Sequence, residues 1–255
     1  MLVSVLASGS KGNCTLVKTN SANFLIDAGS TAKNINEKLN ENNLSLNDIK
    51  YILITHTHAD HTSALKVIIK KARPTIILSE LMYKDLDFLK DYDNVMFLQD
   101  NLILDDCLIE NIKTSHDASD SRGYIITCGK SSLVQITDTG YLNQKYFEKL
   151  KNKNLYIMES NHNVEMLMHG RYPKWLKTRV NSDVGHLSNE ASAFYLSKLI
   201  GDNTKKVILA HLSEENNTPE LALEALANEL KDNNIEFNDY ITAKQNEQTE
   251  LVEIW

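Results

Sequence analysis

At 255 residues, 42% hydrophobic and 24% charged, the chain has the balance of a globular protein long enough to bury a full core. A formal net charge of −7 argues against indiscriminate binding to nucleic acid, although a local basic track remains compatible with it. The longest apolar runs, such as Tyr51–Ile54 and Thr75–Leu78, are of strand length and too short to cross a bilayer.

The first third alternates strands and helices. Leu2–Leu6, Thr15–Lys18 and Asn23–Ile26 read as strands, the last running into Asp27-Ala28-Gly29. Met1–Leu6 lacks both a basic region and a small-residue cleavage site, so it reads as a first strand rather than a signal peptide, and the protein as cytoplasmic. Ser30–Asn40 follows as a helix, with Ile35 and Leu39 on one face. Tyr51–Ile54 has the continuous apolar character of a buried strand. A helix carrying Leu65, Ile68 and Ile69, a strand at Thr75–Leu78 and a helix near Leu81–Leu89 complete this part.

The middle is richer in strands: Asn94–Gln99, Leu108–Thr114, Gly123–Cys128 and Leu133–Thr137, with Gly129–Ser132 as a hairpin turn, then Leu155–Met158. Ala191–Leu199 reads as a helix and Lys206–Ala210 as a strand. Thr218-Pro219 opens a last helix with a threonine cap and a first-position proline. Tyr240–Ala243 and Leu251–Ile254 close the chain as short strands. No repeat, low-complexity tract or linker interrupts this order. Two α/β halves built on a two-layer sheet fit it, and one domain over 1–255 fits better than two. Cys14, Cys107 and Cys128 are an odd number without CxxC spacing, which reads as three reduced thiols.

Chemistry concentrates in His56-x-His58-x-Asp60-His61, where a buried strand gives way to a helix. Imidazole and carboxylate are ligands that zinc, manganese and iron accept. One tetrahedral ion does not easily use all four groups at this spacing, which suggests two neighbouring ions. The segment resembles the HxHxDH signature of the metallo-β-lactamase superfamily, an αββα four-layer sandwich in the α/β class. That family draws a further His, Asp and His from later strand ends. His116, Asp138 and His211 each follow an apolar strand here, in that order. The resemblance implies that His56, His58 and His116 hold one ion, and Asp60, His61 and His211 a second. Asp138 would bridge them, with a metal-bridging hydroxide as nucleophile that Asp60 helps to orient. Asp27 matches the family's early strand-end aspartate, which buttresses the histidine loop.

Several branches of the superfamily do not fit. The commonest β-lactamase subclass has cysteine where Asp138 stands; the diiron flavoproteins have a carboxylate at the place of His58. Glyoxalase-type thioesterases end in a helical domain, and the capped nucleases need a far longer interval between Asp138 and His211. A closer resemblance, over essentially the whole chain, is to the YycJ/WalJ branch. It is carried by Gly9-Ser10-Lys11-Gly12-Asn13-Cys14, Ser115-His116-Asp117, Thr137-Asp138-Thr139-Gly140, Glu159-Ser160-Asn161-His162, Gly185-His186-Leu187-Ser188-Asn189 and Ala210-His211-Leu212-Ser213. It implies a 5′-to-3′ DNA exonuclease in the cytoplasm, using two divalent ions, zinc or manganese, with iron also acceptable to these ligands. DNA is then the partner, with no membrane and no obligate protein partner.

Three segments bear on the substrate. Gly185-His186-Leu187-Ser188 resembles a glycine-histidine-serine segment of ribonuclease Z relatives, which makes His186 a general acid or phosphate ligand, unless it is a loop histidine bound to backbone. Met166–Val180 interleaves Arg171, Lys174, Lys177 and Arg179 with Tyr172 and Trp175 and has no acidic residue. It is either a nucleic-acid track, with Arg171, Lys174 and Trp175 on substrate, or a solvated helix with its aromatics packed beneath. The Gly9–Asn13 loop is either a phosphate cradle, with Ser8, Ser10 and Asn13 facing substrate, or a tight hairpin. Beside the nuclease stand two other readings: a hydrolase of a small phosphodiester or cyclic ester (or of RNA), and a binding protein without turnover.

Overall fold

A computed structural model describes residues 1–254. Two seven-stranded sheets face one another. The first runs β14-β1-β2-β3-β4-β5-β6, with β1 Leu2–Ala7, β2 Cys14–Lys18, β3 Asn23–Ile26, β4 Tyr51–Leu53, β5 Thr75–Leu78, β6 Val95–Phe97 and β14 Val252–Glu253. The second runs β13-β12-β11-β10-β9-β8-β7, with β7 Asn101–Leu104, β8 Cys107–Lys113, β9 Arg122–Cys128, β10 Ser131–Ile136, β11 Leu155–Glu159, β12 Lys206–Ala210 and β13 Tyr240–Thr242. Each sheet is antiparallel through its earlier strands and parallel from its middle onward, so the two halves repeat one plan.

Nine helices are described: α1 Ala32–Glu41, α2 Ala59–Thr62, α3 Leu65–Lys71, α4 Glu80–Asp85, α5 Phe147–Leu150, α6 Val164–His169, α7 Lys174–Val180, α8 Asn189–Leu199 and α9 Pro219–Asp232. Side chains alternate across each strand, so the two faces of the first sheet feed different cores. Leu25, Ile52 and Ile76 pack outward with Ile35 and Leu39 of α1 and Leu65 and Ile68 of α3. Ile26, Leu53 and Ile77 point inward against Ile109, Tyr124, Ile126 and Ile157 of the second sheet. The outer face of that sheet packs Val134, Tyr156 and Leu209 against Leu196 of α8 and Leu226 of α9. This is the αββα sandwich. Caps follow local chemistry: Thr31, Ser188 and Thr218 each accept a backbone N–H of the first helical turn, and Pro219 opens α9. No described helix is long and apolar enough to cross a membrane.

Two expectations need correction, and one strand was not expected at all. Cys107 and Cys128 form a disulfide, leaving Cys14 buried and free. The register of β8 against β9 sets these two cysteines directly opposite, at a Cα separation of 4.3 Å, so strand pairing joins them without any local spacing motif. The helix near Leu81–Leu89 breaks after Asp85 and resumes as a 3-10 turn over Asp87–Leu89. Asn101–Leu104, unassigned from sequence, is the edge strand of the second sheet.

Candidate metal centre

Both sheets deliver polar side chains to one rim. The loop after β4 is pinned from the opposite sheet, where Tyr124 Oη donates to Ile54 O at 2.6 Å and Arg122 N to Thr55 O at 2.9 Å. Beneath it lies Asp27, fully buried, accepting from Thr55 N, Thr55 Oγ1 and His61 Nδ1, each at 2.8 Å. That clamp turns His61 Nε2 toward Asp138 Oδ2 at 3.2 Å and Asp60 Oδ2 at 3.5 Å. Gly29 lies so close that a Cβ would stand 1.8 Å from Asp60 O, so no larger residue fits against the histidine loop.

The second sheet supplies the rest. His116 Nδ1 donates to Gly185 O at 3.1 Å, leaving Nε2 3.3 Å from His58 Nδ1. His211 is fixed by its backbone N–H to Ser8 Oγ at 2.7 Å and by Nδ1 to Glu159 Oε1 at 2.9 Å. Asp27, Asp138 and His211 all have left-handed backbones, with φ of 62°, 56° and 58°. Such angles cost on the order of 1–2 kcal/mol at a non-glycine residue. Their recurrence at the site's own strand ends is strain held by the surrounding fold.

Donor atoms of His56, His58 and His116 form one group within 4.8 Å of each other, and those of Asp60, His61 and His211 another. Asp138 lies between them, its Oδ1 3.8 Å from His116 Nε2 and 3.6 Å from His211 Nε2. Ligand atoms around one tetrahedral ion at zinc-type bond lengths stand about 3.3–3.5 Å apart, close to these separations. His56 Nε2, His211 Nε2 and Asp138 Oδ2 are buried without a hydrogen-bond partner. A bound cation would satisfy all three, and buried polar atoms otherwise carry a desolvation cost. The cluster is therefore suited to metal binding. A further group, Asp138, Glu159, His186 and His211, meets the same distance test. Glu159 is already committed, however: Oε1 accepts from His186 and His211, Oε2 from Thr139 N and Leu187 N.

Charge alternates through the cluster. Burial opposes a proton on His61, but Asp27 and Asp138 outweigh it and hold its pKa well above the usual histidine value. His211 is raised to about 10, burial again being overcome by Asp138, Asp60 and Glu159. Burial lowers His56 and His116 instead, and neighbouring His61 lowers His56 further. Burial works to raise the Asp138 carboxyl, yet His211 and His61 hold it well below its usual range.

A metallo-beta-lactamase superfamily model matches residues 7–98. Over 224 residues the chain is 38% identical to exodeoxyribonuclease YycJ of Bacillus anthracis, covering 86% of this chain and 85% of that one. It is 37% identical over 234 residues to exodeoxyribonuclease WalJ of Streptococcus pneumoniae, covering 89% and 87%. The chain belongs to the YycJ/WalJ branch of the metallo-β-lactamase superfamily. The metallo-β-lactamase-fold protein YhfI of Bacillus subtilis superposes with a TM-score of 0.71 over 98% of this chain and 99% of that one, at 17% identity, a likeness of fold.

Within this superfamily frame, the other expected residues fall differently. His186 lies at the cluster, its ring centroid 5.1 Å from His116 and 5.2 Å from His211 and its Nδ1 2.8 Å from Glu159 Oε1. Arg171, Lys174 and Trp175 are exposed, as is Ser10. Trp175 is thus not packed beneath a helix as the bland alternative required. Asn13, expected to face substrate, is buried: it closes its own loop through Gly9 N and Gly9 O, and its Nδ2 reaches Asp60 Oδ2 at 3.2 Å and His61 Nε2 at 2.9 Å. Ser8, likewise expected outward, is buried as the acceptor that holds His211. The Gly9–Asn13 loop supports the histidines from behind.

Sequence reasoning assigned no role to Glu159, to Asn161 or to Asp117. Asn161 Nδ2 donates to His211 O at 2.9 Å, and Asp117 pairs with Arg179 through both oxygens at 2.6 and 3.0 Å. A signal for Glu159 was present, since it ends an apolar strand as Asp138 and His211 follow theirs.

Proposed function

We propose that this hydrolase is an exodeoxyribonuclease that degrades DNA from 5′ ends and binds two divalent cations, zinc or manganese. The observation that carries it is the pair of donor groups joined by Asp138, with three buried donor atoms left unpartnered. The names borne by its YycJ and WalJ relatives support DNA as the substrate. His56, His58 and His116 would hold one ion and Asp60, His61 and His211 the other, with Asp138 shared. Neither sheet carries a complete set, which supports residues 1–255 acting as one domain. With DNA as substrate, the reading places the protein in the cytoplasm.

Bound cations would supply an acidified water and neutralise charge growing on the phosphate. The chain's own residues do the rest. Asp60, half-open to solvent, orients the attacking group. His186 is positioned to act as general acid: Glu159 fixes its Nδ1, which leaves Nε2 to deliver a proton to the departing 3′-oxygen. Asp27, Asn13, Ser8 and Asn161 hold the imidazoles in place.

Duplex DNA labelled at one 5′ end at a time, with added manganese, is expected to release short labelled products early. Metal-loaded, folded protein that releases none would sink the nuclease reading. Metal uptake also has a proton signature. His211, raised to about 10, is cationic near pH 7 in metal-free protein and must lose a proton to become a ligand; neighbouring carboxylates shift His61 in the same direction. Binding is expected to release protons and to weaken as pH falls. Titration calorimetry in two buffers of different ionisation enthalpy checks this, and identical heats in both would contradict it.

A further inference from the structure

A largely exposed tryptophan opens the helix whose far end reaches the His/Asp cluster. Trp175, in the first turn of α7, is 68% exposed, and Met168 at the end of α6 is 44% exposed. Tryptophan, apolar in body and polar at its N–H, is enriched at interaction surfaces. The far end of α7 is tied to the rim: Arg179 pairs with Asp117, whose Oδ1 is 3.4 Å from His116 Nε2. Val180 O accepts from His186 N at 2.9 Å. Trp175 and Arg179 are four residues apart, so they share a helix face about 6 Å apart along the axis.

The stretch of chain that carries the indole is one-sided in charge, although Glu215 lies in the same pocket lining as Arg171. From Met166 to Val180 the chain has His169, Arg171, Lys174, Lys177 and Arg179 and no carboxylate, within a protein of net charge −7. Arg179 is spent on Asp117, and Lys177 Nζ donates to Met168 O. Arg171 and Lys174 are exposed, and among the described residues neither pairs with a carboxylate.

Resting on the nuclease reading above, we propose that α7 is a stacking platform for an unpaired strand. The Trp175 indole takes the face of one base, and Arg171 and Lys174 take flanking phosphates, leading a single-stranded or frayed end past Arg179 to the cluster. An unpaired strand opens every base face to the indole, whereas a blunt duplex offers only the outer face of each terminal pair. Stacking reads no base edge, so the platform is tolerant of sequence. Two unpaired cations beside one exposed indole suit a polyanion with flat apolar groups better than a lipid surface, which needs a broader apolar face.

The test is tryptophan fluorescence of the full chain with chelator present, so that nothing is cleaved. Trp175 and Trp255 are the two tryptophans, and a Trp255→Phe background isolates the signal. Single-stranded oligodeoxythymidylate is expected to quench it, while a blunt duplex of equal length is not. Loss of one stacked base should weaken binding of the single strand by Trp175→Leu about 5- to 150-fold, measured by anisotropy of labelled strand. Trp175→Phe, which keeps a ring, should recover most of it. Equal quenching by blunt duplex, by polyglutamate or by anionic vesicles overturns the proposal. So does unchanged affinity in Trp175→Leu while the wild type digests DNA, an outcome that leaves the nuclease reading standing. Wild type that neither binds nor digests the strand overturns both.

Discussion

Replacing His58 and Asp60 together by alanine is expected to slow DNA digestion on the order of 10³-fold or more while leaving the fold intact. The pair takes one proposed ligand from each donor group. A catalytic cation contributes several kcal/mol to a transition state, and each 1.4 kcal/mol is about tenfold in rate. Both side chains lie at the half-open rim, whereas His56 and His61 are fully buried. Truncating His61 would also strand the Asp27 carboxylate beneath it, mixing a folding defect into the result. Metal content per chain and the single-turnover rate are the two measurements. A variant that keeps its rate within tenfold of wild type would show that these groups do not carry the chemistry.

Glu159→Gln is expected to cost roughly 2–6 kcal/mol of stability, despite near-identical shape. The carboxylate accepts on both oxygens: from His186 and His211 on Oε1, from Thr139 N and Leu187 N on Oε2. An amide offers one acceptor oxygen, so whichever way it turns, its NH2 group faces two donors. Each buried donor left unsatisfied costs about 1–3 kcal/mol. Since Glu159 fixes both His186 and His211, digestion should fall as well. The pH dependence has a definite sign. Burial works to raise the Glu159 carboxyl, but His186 and His211 hold it at about 2, below its ordinary 4.5. Its contribution is whole above about 4.5 and disappears as pH falls toward 2. The stability gap between wild type and Glu159→Gln in metal-free protein should therefore narrow across that window. Denaturant midpoints that coincide at pH 7 would refute the assignment.

What the sequence made legible follows a simple physical line. Buried strands are apolar throughout or along one face, and the residues just past them are released at the rim. Asp27, His56, His116, Asp138 and His211 stand out because polar groups follow apolar runs, and the structure brings them together. Thr218-Pro219 was legible because a cap is chemistry within one turn of helix.

Where the meaning of a residue depends on distant partners, the sequence was silent or misleading. Glu159 is interpretable only once positions 139, 186, 187 and 211 meet around it. Asn13 looked like a surface residue of a glycine loop, but it is folded under that loop onto Asp60 and His61. Cys107 and Cys128 seemed unrelated until the β8–β9 register set them face to face. Nor could spacing alone settle whether Trp175 was core or surface, since helical period does not say what lies on either side.

The division of donors between the two sheets also bears on how the molecule could be taken apart. Residues through Phe97 hold Asp27, His56, His58, Asp60 and His61, while His116, Asp138, Glu159, His186 and His211 all come after Asn101. Between them, Gln99 and Asp100 are exposed and outside any strand. A chain severed there yields two fragments, each with half of a centre, and the second also restores β14 to the sheet of the first. Hydrolysis would then report reassembly, making the enzyme a split reporter in which metal rewards correct docking of its halves.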